Sequence, residues 1–206
     1  LNAERALDMY LFVEETGSLN YLTGSINELQ PRDTDQKPVD VVHLSCHGGF
    51  SKKKNATFLC LENDVGNLVK VYADGFDSVF AQNRPELVFL SACKTCEPFF
   101  VKGKDDKGFY NSYSQSLIRR GFPAVLGWSG SVSDVEATRF AGEFYRNLSQ
   151  SATTEDAVAR ARSSLFNAPE GYPGNYESAD WHLARLYLGK TGGGIERLFL
   201  NKRSLC

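Results

Sequence analysis

The chain carries VDVVHLSCHGG at residues 39–49, a short valine-rich apolar run that ends at a histidine and two glycines. A run of this length, bounded by turn residues, predicts a strand that is buried on both faces. Two similar runs follow, ELVFLSA at 86–92 and PAVLGW at 123–128. Helical patterns lie between them, so the sequence predicts an α/β fold with a mostly parallel central sheet and helices on both faces.

Weaker patterns predict the remaining elements. Ser133 followed by Glu136 has the spacing of a capping box and marks a helix start. We expect helices at 1–15, 74–83, 110–120, 133–148 and 154–166, and a hairpin of strands at 57–62 and 68–72. The ranges 31–38, 51–55, 101–108 and 167–176 are polar or rich in glycine and proline, so they predict turns and loops. Residues 180–188 and 195–200 are interpreted as a helix and a closing strand.

The composition of the 206 residues is that of one folded domain, with 42% hydrophobic and 23% charged residues. A formal net charge of -2 provides no electrostatic basis for a nucleic-acid or membrane partner. No apolar run approaches the roughly 20 residues that span a bilayer, and no signal peptide is visible. The five cysteines are odd in number and unevenly spaced, which favours a reducing, cytoplasmic setting. Because the chain begins at Leu1, we interpret it as part of a longer protein or as a processed product.

A thiol and an imidazole follow the first two predicted strands. His47 comes directly after the first strand and Cys93 after the second, and sites in such sheets form beyond the carboxyl ends of the strands. A free thiol has a pKa near 8.5 and needs a base to become a nucleophile at neutral pH. Gly48 lacks a Cβ, so its backbone N–H can approach a substrate oxygen and act with the N–H of Cys93 as an oxyanion hole.

The other histidines and cysteines are interpreted as structural. His43 lies in the middle of the first strand, and His182 lies beside a tryptophan in an amphipathic segment. Cys46 and Cys60 fall within predicted strands, where cysteine usually acts as a small apolar residue. Cys206 is terminal and receives no role.

Three blocks of the chain resemble the CHAT family, which comprises caspase-like domains related to caspases, separases and gingipains. These blocks are HLSCHGG at 43–49, LVFLSACKT at 87–95, and the segment 116–148, and the resemblance covers roughly residues 39–190. It implies a caspase–hemoglobinase-like three-layer fold. The expected organisation is one peptidase domain over 1–206, with an N-terminal helix and linker at 1–38 and the core at 39–200.

The resemblance also implies a cysteine endopeptidase with a Cys–His dyad. On the matching positions Cys93 is the nucleophile and His47 the catalytic histidine, while Gly48 and the amide of Cys93 form the oxyanion hole. No cofactor and no metal are implied. The expected partners are a protein substrate and a regulatory repeat domain or activator protein, as in prokaryotic defence systems. The loop at 101–108 is expected to become ordered on activation.

The segment GWSGS at 127–131 is expected to lie beside the substrate backbone, so Trp128, Ser129 and Gly130 are candidate substrate-binding residues. Asp134 matches a position where separases carry an acid that recognises a basic P1 side chain. A carboxylate there is equally explained by the dipole at a helix N-terminus. Cys96 departs from the family pattern, which often has glycine soon after the catalytic cysteine, and we consider it as a redox partner of Cys93.

Three alternatives remain at this point. Cys46, His47, Cys93 and Cys96 together offer a Cys₃His zinc set, although adjacent strand residues point to opposite faces. A catalytically silent caspase-like interaction module would retain the fold without the reaction. A thiol hydrolase or transferase acting on something other than a peptide would use the same dyad.

Overall fold

The computed structural model describes residues 11–29, 39–81, 84–102, 107–150, 152–167 and 179–190. Within these ranges the chain forms a mixture of helices and strands. Their order is α1 Leu19–Glu28, β1 Val41–Ser45, β2 His47–Ser51, β3 Ala56–Glu62, β4 Leu68–Val71, α2 Ala73–Val79, β5 Leu87–Ser91, β6 Phe99–Lys102, β7 Lys107–Tyr110, α3 Tyr113–Arg119, β8 Ala124–Trp128, α4 Asp134–Ser149, α5 Thr154–Phe166, a short 3₁₀ helix Ala179–His182, and β9 Ala184–Leu188.

The three predicted strands become β1, β5 and β8, three neighbouring strands of a four-stranded sheet with the order β1-β5-β8-β9. β5 and β8 are buried at its centre, whereas β1 forms an edge and is only partly buried, so the predicted burial of the first strand on both faces is wrong. β1 pairs with β5 and β5 with β8 in parallel, whereas β9 pairs with β8 antiparallel. The predicted mostly parallel central sheet is therefore confirmed, with an antiparallel strand added at one edge.

Alternation along β5 separates two apolar layers. Leu87 and Phe89 face α4 and α5, while Val88 and Leu90 face α1, α2, α3 and the second sheet. All four side chains are fully buried, and burial of each contributes roughly 1.5–3 kcal/mol relative to exposure. Helices thus cover both faces of the sheet, as expected for a three-layer, caspase-like α/β fold.

A second, antiparallel sheet of order β2-β3-β4 begins directly after β1, with Cys46 as the only residue between the two strands. The hairpin predicted from 57–62 and 68–72 is confirmed as β3 and β4. The predicted turn at 51–55 joins β2 to β3 and contains Asn55 at φ 48°, a left-handed conformation that asparagine tolerates. The chain therefore leaves the central sheet just where His47 begins β2.

Side-chain caps mark the starts of α3, α4 and α5. Ser112 forms a complete capping box with Gln115, Ser133 accepts a hydrogen bond from the backbone N–H of Glu136, and Thr153 accepts one from Asp156. Such caps each stabilise a helix by about 1 kcal/mol. The helices predicted from 110–120, 133–148 and 154–166 are confirmed.

The N-terminal prediction is wrong where the structure tests it. Residues 11–15, assigned to a helix over 1–15, are not helical, and the first helix begins at Leu19 after the N-cap Ser18. Gly17 adopts φ 65° just before this cap, and Glu14 accepts hydrogen bonds from both the N–H and the hydroxyl of Thr16. The apolar spacing suggested a helix, but these local hydrogen bonds favour a turn at this point. Residues 1–10 and 31–38 lie outside the described residues.

The range 101–108, predicted as a loop, contains parts of two strands. β6 and β7 form an antiparallel hairpin in which Phe99 pairs with Tyr110 and Lys102 with Lys107. The ring of Phe99 stacks on that of Phe50 in β2, with centroids 4.3 Å apart. Aromatic residues on either side of the polar stretch therefore outweigh its turn-like composition. Residues 103–106 lie outside the described part of the chain.

The helix predicted at 180–188 is also wrong, because only a short 3₁₀ helix precedes a strand there. β9 pairs along β8, from Trp128↔Ala184 to Ala124↔Leu188. The alternating pattern ARLYL suits either element, and pairing with an already buried strand decides between them. The closing strand expected at 195–200 and most of the loop at 167–176 lie outside the described residues.

Gly142 offers a test of how α4 is built. A Cβ placed on this mid-helix glycine would have nothing within 4 Å. Gly142→Ala is therefore expected to raise the free energy of unfolding by about 0.5–1 kcal/mol, because alanine loses less backbone entropy in a helix. Gly66→Ala is the matched control: its Cβ is equally unobstructed, but φ is 78°, so the same substitution should destabilise. Urea unfolding measures the free energy of unfolding of both variants. A change of the same sign in the two variants would contradict this explanation.

Candidate active site

The structure brings His47 and Cys93 to the same edge of the central sheet. β1 and β5 are parallel neighbours with Ser45 opposite Ser91. His47 and Cys93 each lie two residues beyond that pair, and the N–H of Cys46 donates to the carbonyl of Ser91 across a distance of 3.3 Å. The two candidate residues therefore leave adjacent strands at the same level.

Direct backbone contact joins the two segments. A Cβ built on Gly48 would lie 2.5 Å from the carbonyl oxygen of Cys93 and 3.6 Å from the methyl group of Thr95. Real Cβ atoms do not approach other heavy atoms to 2.5 Å, so only glycine fits at this position. The residue next to His47 thus rests on the backbone of Cys93.

Residues 92–96 form a tight turn after β5, which we call the Cys93 turn. Lys94 adopts φ 61°, a left-handed conformation that costs a non-glycine residue roughly 1–2 kcal/mol. Its N–H donates to the carbonyl of Gly130 at 2.9 Å, and its carbonyl accepts from the N–H of Glu97 at 3.2 Å. Hydrogen bonds on both sides of Lys94 therefore maintain the strained conformation beside the candidate nucleophile.

The end of β8 holds the other side of the Cys93 turn. The N–H of Cys96 donates to the carbonyl of Trp128 at 2.9 Å, and the N–H of Trp128 donates to the hydroxyl of Thr95 at 3.2 Å. A Cβ on Gly127 would lie 2.5 Å from that same hydroxyl oxygen and 2.9 Å from Cys96 Sγ. The turn and β8 are therefore in van der Waals contact along their backbones.

The thiols of the chain differ in environment. Cys93 is half-buried, and its Sγ lies 3.9 Å from the carbonyl oxygen of Val132. Burial raises the pKa of Cys46 to about 12, and burial likewise raises the pKa of Cys96 to about 12. Cys46 and Cys96 therefore remain protonated thiols at neutral pH and are unsuited to nucleophilic attack.

The candidate substrate segment reaches the Cys93 turn, but its residues differ in access. Ser129 and Gly130 are half-buried; the N–H of Ser129 donates to the carbonyl of Leu183 at 2.8 Å. Trp128 is fully buried, with its ring centroid 5.1 Å from that of Phe140 in α4. The side chain of Trp128 is therefore part of the core, and we omit it from the candidate substrate-binding residues.

Asp134 is exposed and opens α4, two residues after Val132. Its carboxylate lies in the first turn of the helix, where the macrodipole favours negative charge. The position is thus compatible with both roles considered for this residue, a helix-terminal charge and an acid beside the substrate segment.

An acid pair close to this segment escaped the sequence analysis. Asp180 hydrogen-bonds Glu136 and also accepts a hydrogen bond from the backbone N–H of Ser133. The pKa of Asp180 is raised to about 6, mainly by burial. The hydrogen bond and the charge of Glu136 raise this pKa further. These residues are far apart in sequence, and no spacing rule relates them.

The raised pKa of Asp180 predicts a pH-dependent stability. An unfolded aspartate ionises near pH 4, so the stability that the bound proton provides is present below about pH 4 and is lost as the pH rises through 6. Asp180→Asn cannot ionise and keeps an oxygen for the Ser133 N–H, so it should be more stable than the parent at pH 8 and equal at pH 4. Since Asp180 is partly exposed, solvent screening limits the gain to about 1 kcal/mol.

Urea unfolding at the two pH values measures this difference. Asp156→Asn, in the first turn of α5, is the control. It should be destabilised at pH 8, because it loses a carboxylate that the helix dipole favours. If Asp180→Asn raised the free energy of unfolding equally at both pH values, the explanation by the raised pKa of Asp180 would be contradicted.

Cys96 is the residue on which both the zinc set and the redox alternative depended, and the redox alternative required an exposed thiol. Cys96 Sγ lies 3.1 Å from the hydroxyl of Ser114 and 3.6 Å from the carbonyl of Arg185, and only 1% of the residue is exposed. Within the described ranges, no group of three or more His, Cys, Asp or Glu residues is arranged to hold a metal ion. These contacts leave Cys96 with a packing role.

The remaining histidines make aromatic contacts. The ring of His43 stacks on Phe89 at 4.3 Å and contacts Tyr145 at 5.7 Å. His182 is exposed, with its ring 5.7 Å from Trp181.

The helices of the described segments are all too short or too polar to cross a membrane.

Comparison with protein families identifies the family of the chain's fold. The family model described as "CHAT domain" matches residues 11–188, a range that contains every helix and strand given above. No curated protein matches the chain.

Proposed function

Because the chain belongs to the CHAT domain family, which is related to caspase-like cysteine peptidases, we propose that it is a cysteine endopeptidase. Cys93 is the nucleophile and His47 the acid–base partner. The substrate is a specific protein rather than a small molecule.

The observation that carries this proposal is the contact between Gly48 and Cys93. The carbonyl oxygen of Cys93 occupies the space that any side chain at residue 48 would need. His47 directly precedes Gly48, and the paired residues Ser45 and Ser91 bring both segments to one level. A thiol and an imidazole supplied by neighbouring strand ends have the arrangement that nucleophilic catalysis requires.

In the proposed reaction, His47 accepts the proton of the Cys93 thiol, and the sulfur attacks the carbonyl carbon of the scissile peptide bond. The N–H groups of Gly48 and Cys93 stabilise the oxyanion of the tetrahedral intermediate, a contribution of roughly 3–4 kcal/mol per donor in known cases. The intermediate collapses when His47 returns the proton to the leaving amine. Water, deprotonated by His47, then hydrolyses the thioester and releases the free enzyme.

The polypeptide substrate lies along Ser129 and Gly130 in this proposal. Their backbone is anchored on both sides, by Lys94 in the Cys93 turn and by Leu183, so a substrate chain would meet a rigid edge. Asp134 is an exposed carboxylate on the same segment and would favour a basic side chain. A regulatory repeat domain or activator protein, a cytoplasmic location and a role in defence complete the proposal, on the basis of the family resemblance.

Sequencing of newly formed termini tests the function. The purified protein is incubated with a denatured proteome digest and with candidate protein substrates, and the Cys93→Ala variant is incubated in parallel. New N-termini that share a sequence preference and appear only with the parent protein support the proposal. Termini that are absent from both samples, including in the presence of candidate activators, or that are identical in both, contradict it.

A further inference from the structure

We propose that Thr95 is the positioning residue of the site, and that its hydroxyl sets the Cys93 turn while its methyl group supports the strand that carries His47. The inference rests on the proposed function for its catalytic consequence, but not for its structural content. Thr95 lies two residues after Cys93 and is 2% exposed, so it cannot contact a substrate itself.

The hydroxyl of Thr95 makes two hydrogen bonds. It donates to the carbonyl of Ala92 at 3.0 Å, which closes the turn around Cys93 and Lys94. It accepts from the N–H of Trp128 at 3.2 Å. A single buried oxygen therefore fixes the turn internally and fixes its distance from β8.

The carbonyl of Thr95 attaches the turn to α3. It accepts hydrogen bonds from the N–H of Ser114 at 3.0 Å and from the hydroxyl of Ser114 at 3.1 Å. The side chains of Thr95 and Ser114 are both buried. In a buried environment hydrogen bonds are strong, and a polar group without a partner destabilises the fold. Three elements thus meet at Thr95: the end of β5, the end of β8 and the start of α3.

The methyl group of Thr95 points toward the opposite side. It lies 3.6 Å from the position of a Cβ on Gly48, directly beneath the residue that follows His47. Thr95 therefore faces the end of β8 with its hydroxyl and Gly48 in β2 with its methyl group. This separation allows the two contacts to be removed independently.

Two near-isosteric substitutions separate the contacts. Thr95→Val keeps the shape but leaves the carbonyl of Ala92 and the N–H of Trp128 without the hydroxyl. Thr95→Ser keeps the hydroxyl and removes the methyl group. A residue that acts only through packing would tolerate valine better than serine, whereas a residue that positions Cys93 by hydrogen bonding requires the reverse order.

The experiment measures the rate at which iodoacetamide alkylates Cys93 between pH 5 and 9, followed at the Cys93 peptide by mass spectrometry. We expect Thr95→Val to slow alkylation at pH 7 at least about fivefold and to shift the pH profile, and Thr95→Ser to stay within about twofold of the parent. In cleavage assays Thr95→Val should lower kcat with little change in KM. Val158→Ala, a buried substitution in α5, controls for general destabilisation.

Two results would overturn the inference: a Thr95→Val profile identical to the parent, or an equal change in Val158→Ala at a matched shift in Tm. If Thr95→Val does not fold, Thr95→Ala replaces it, with rescue by serine as the criterion. Alkylation needs no substrate, so the two proposals fail separately. Altered alkylation without any cleavage by the parent protein would refute the peptidase and retain the role of Thr95.

Discussion

Cys93→Ala is expected to reduce cleavage of a protein substrate by at least ~10³-fold, because it removes the sulfur that attacks the scissile carbonyl. The substitution removes one half-buried sulfur, which lies 3.9 Å from the carbonyl oxygen of Val132. The fold should therefore be retained, with a Tm close to that of the parent. Cleavage is measured by the appearance of the new N-terminus under single-turnover conditions.

His47→Ala should cause a loss of the same order, since the thiol of Cys93 then lacks both its base and the acid for the leaving amine. The losses should not add in the double variant, because the two residues act as a unit. Cys206→Ala and His182→Ala are the controls, one the terminal thiol to which no role was assigned and the other an exposed imidazole. Retained cleavage in either dyad variant, or equal losses in the controls, would refute the dyad.

Gly127→Ala is expected to have the second largest effect. The new methyl group would lie 2.5 Å from the hydroxyl oxygen of Thr95 and 2.9 Å from Cys96 Sγ, both in the buried part of the Cys93 turn. Overpacking of this kind costs about 1–3 kcal/mol. Because the turn must move away from β8, cleavage should fall at least about tenfold as well. Urea unfolding and the cleavage assay measure the two effects.

A double-mutant cycle identifies the clash. Thr95→Ala removes the hydroxyl that a methyl group at residue 127 would strike, so the stability cost of Gly127→Ala should be smaller in that background. Gly142→Ala is the control, because it adds the same methyl group where no atom lies within 4 Å. Strictly additive free energies in the cycle would show that the contact with Thr95 is not the source of the cost.

The correct part of the fold prediction rests on patterns within a few consecutive residues, namely apolar runs and helix caps. The runs that became β5 and β8 are almost wholly apolar and are buried, as such continuous runs predict. β1 forms at the predicted place, but it is an edge strand in which only Val42 is buried, so the predicted burial on both faces is wrong there. α4 begins where the Ser133 signal predicted, and α5 coincides with the predicted range 154–166. Caps act through bonds between residues three apart, so they can be recognised without any knowledge of the tertiary structure.

The wrong predictions fall where partners distant in sequence decide the conformation. β9 is a strand because β8 offers it an edge, and the ends of the 101–108 segment are strands because they pair with each other while Phe99 stacks on Phe50. Trp128 was expected beside the substrate, but packing against Phe140 removes it from the surface. The Asp180–Glu136 pair joins residues from the 3₁₀ helix and α4.

By itself, the sequence determined the positions of three strands of the central sheet, the capped helices that pack on it, and the candidate residues that follow two of the strands. Apolar runs and helix caps act within a few residues, so their consequences can be recognised locally. Only the tertiary structure decided that β1 and β5 are neighbours in register, that Gly48 rests on Cys93, and that Thr95 joins the Cys93 turn to β8 and α3. These contacts depend on close packing between segments dozens of residues apart, and no local pattern encodes them.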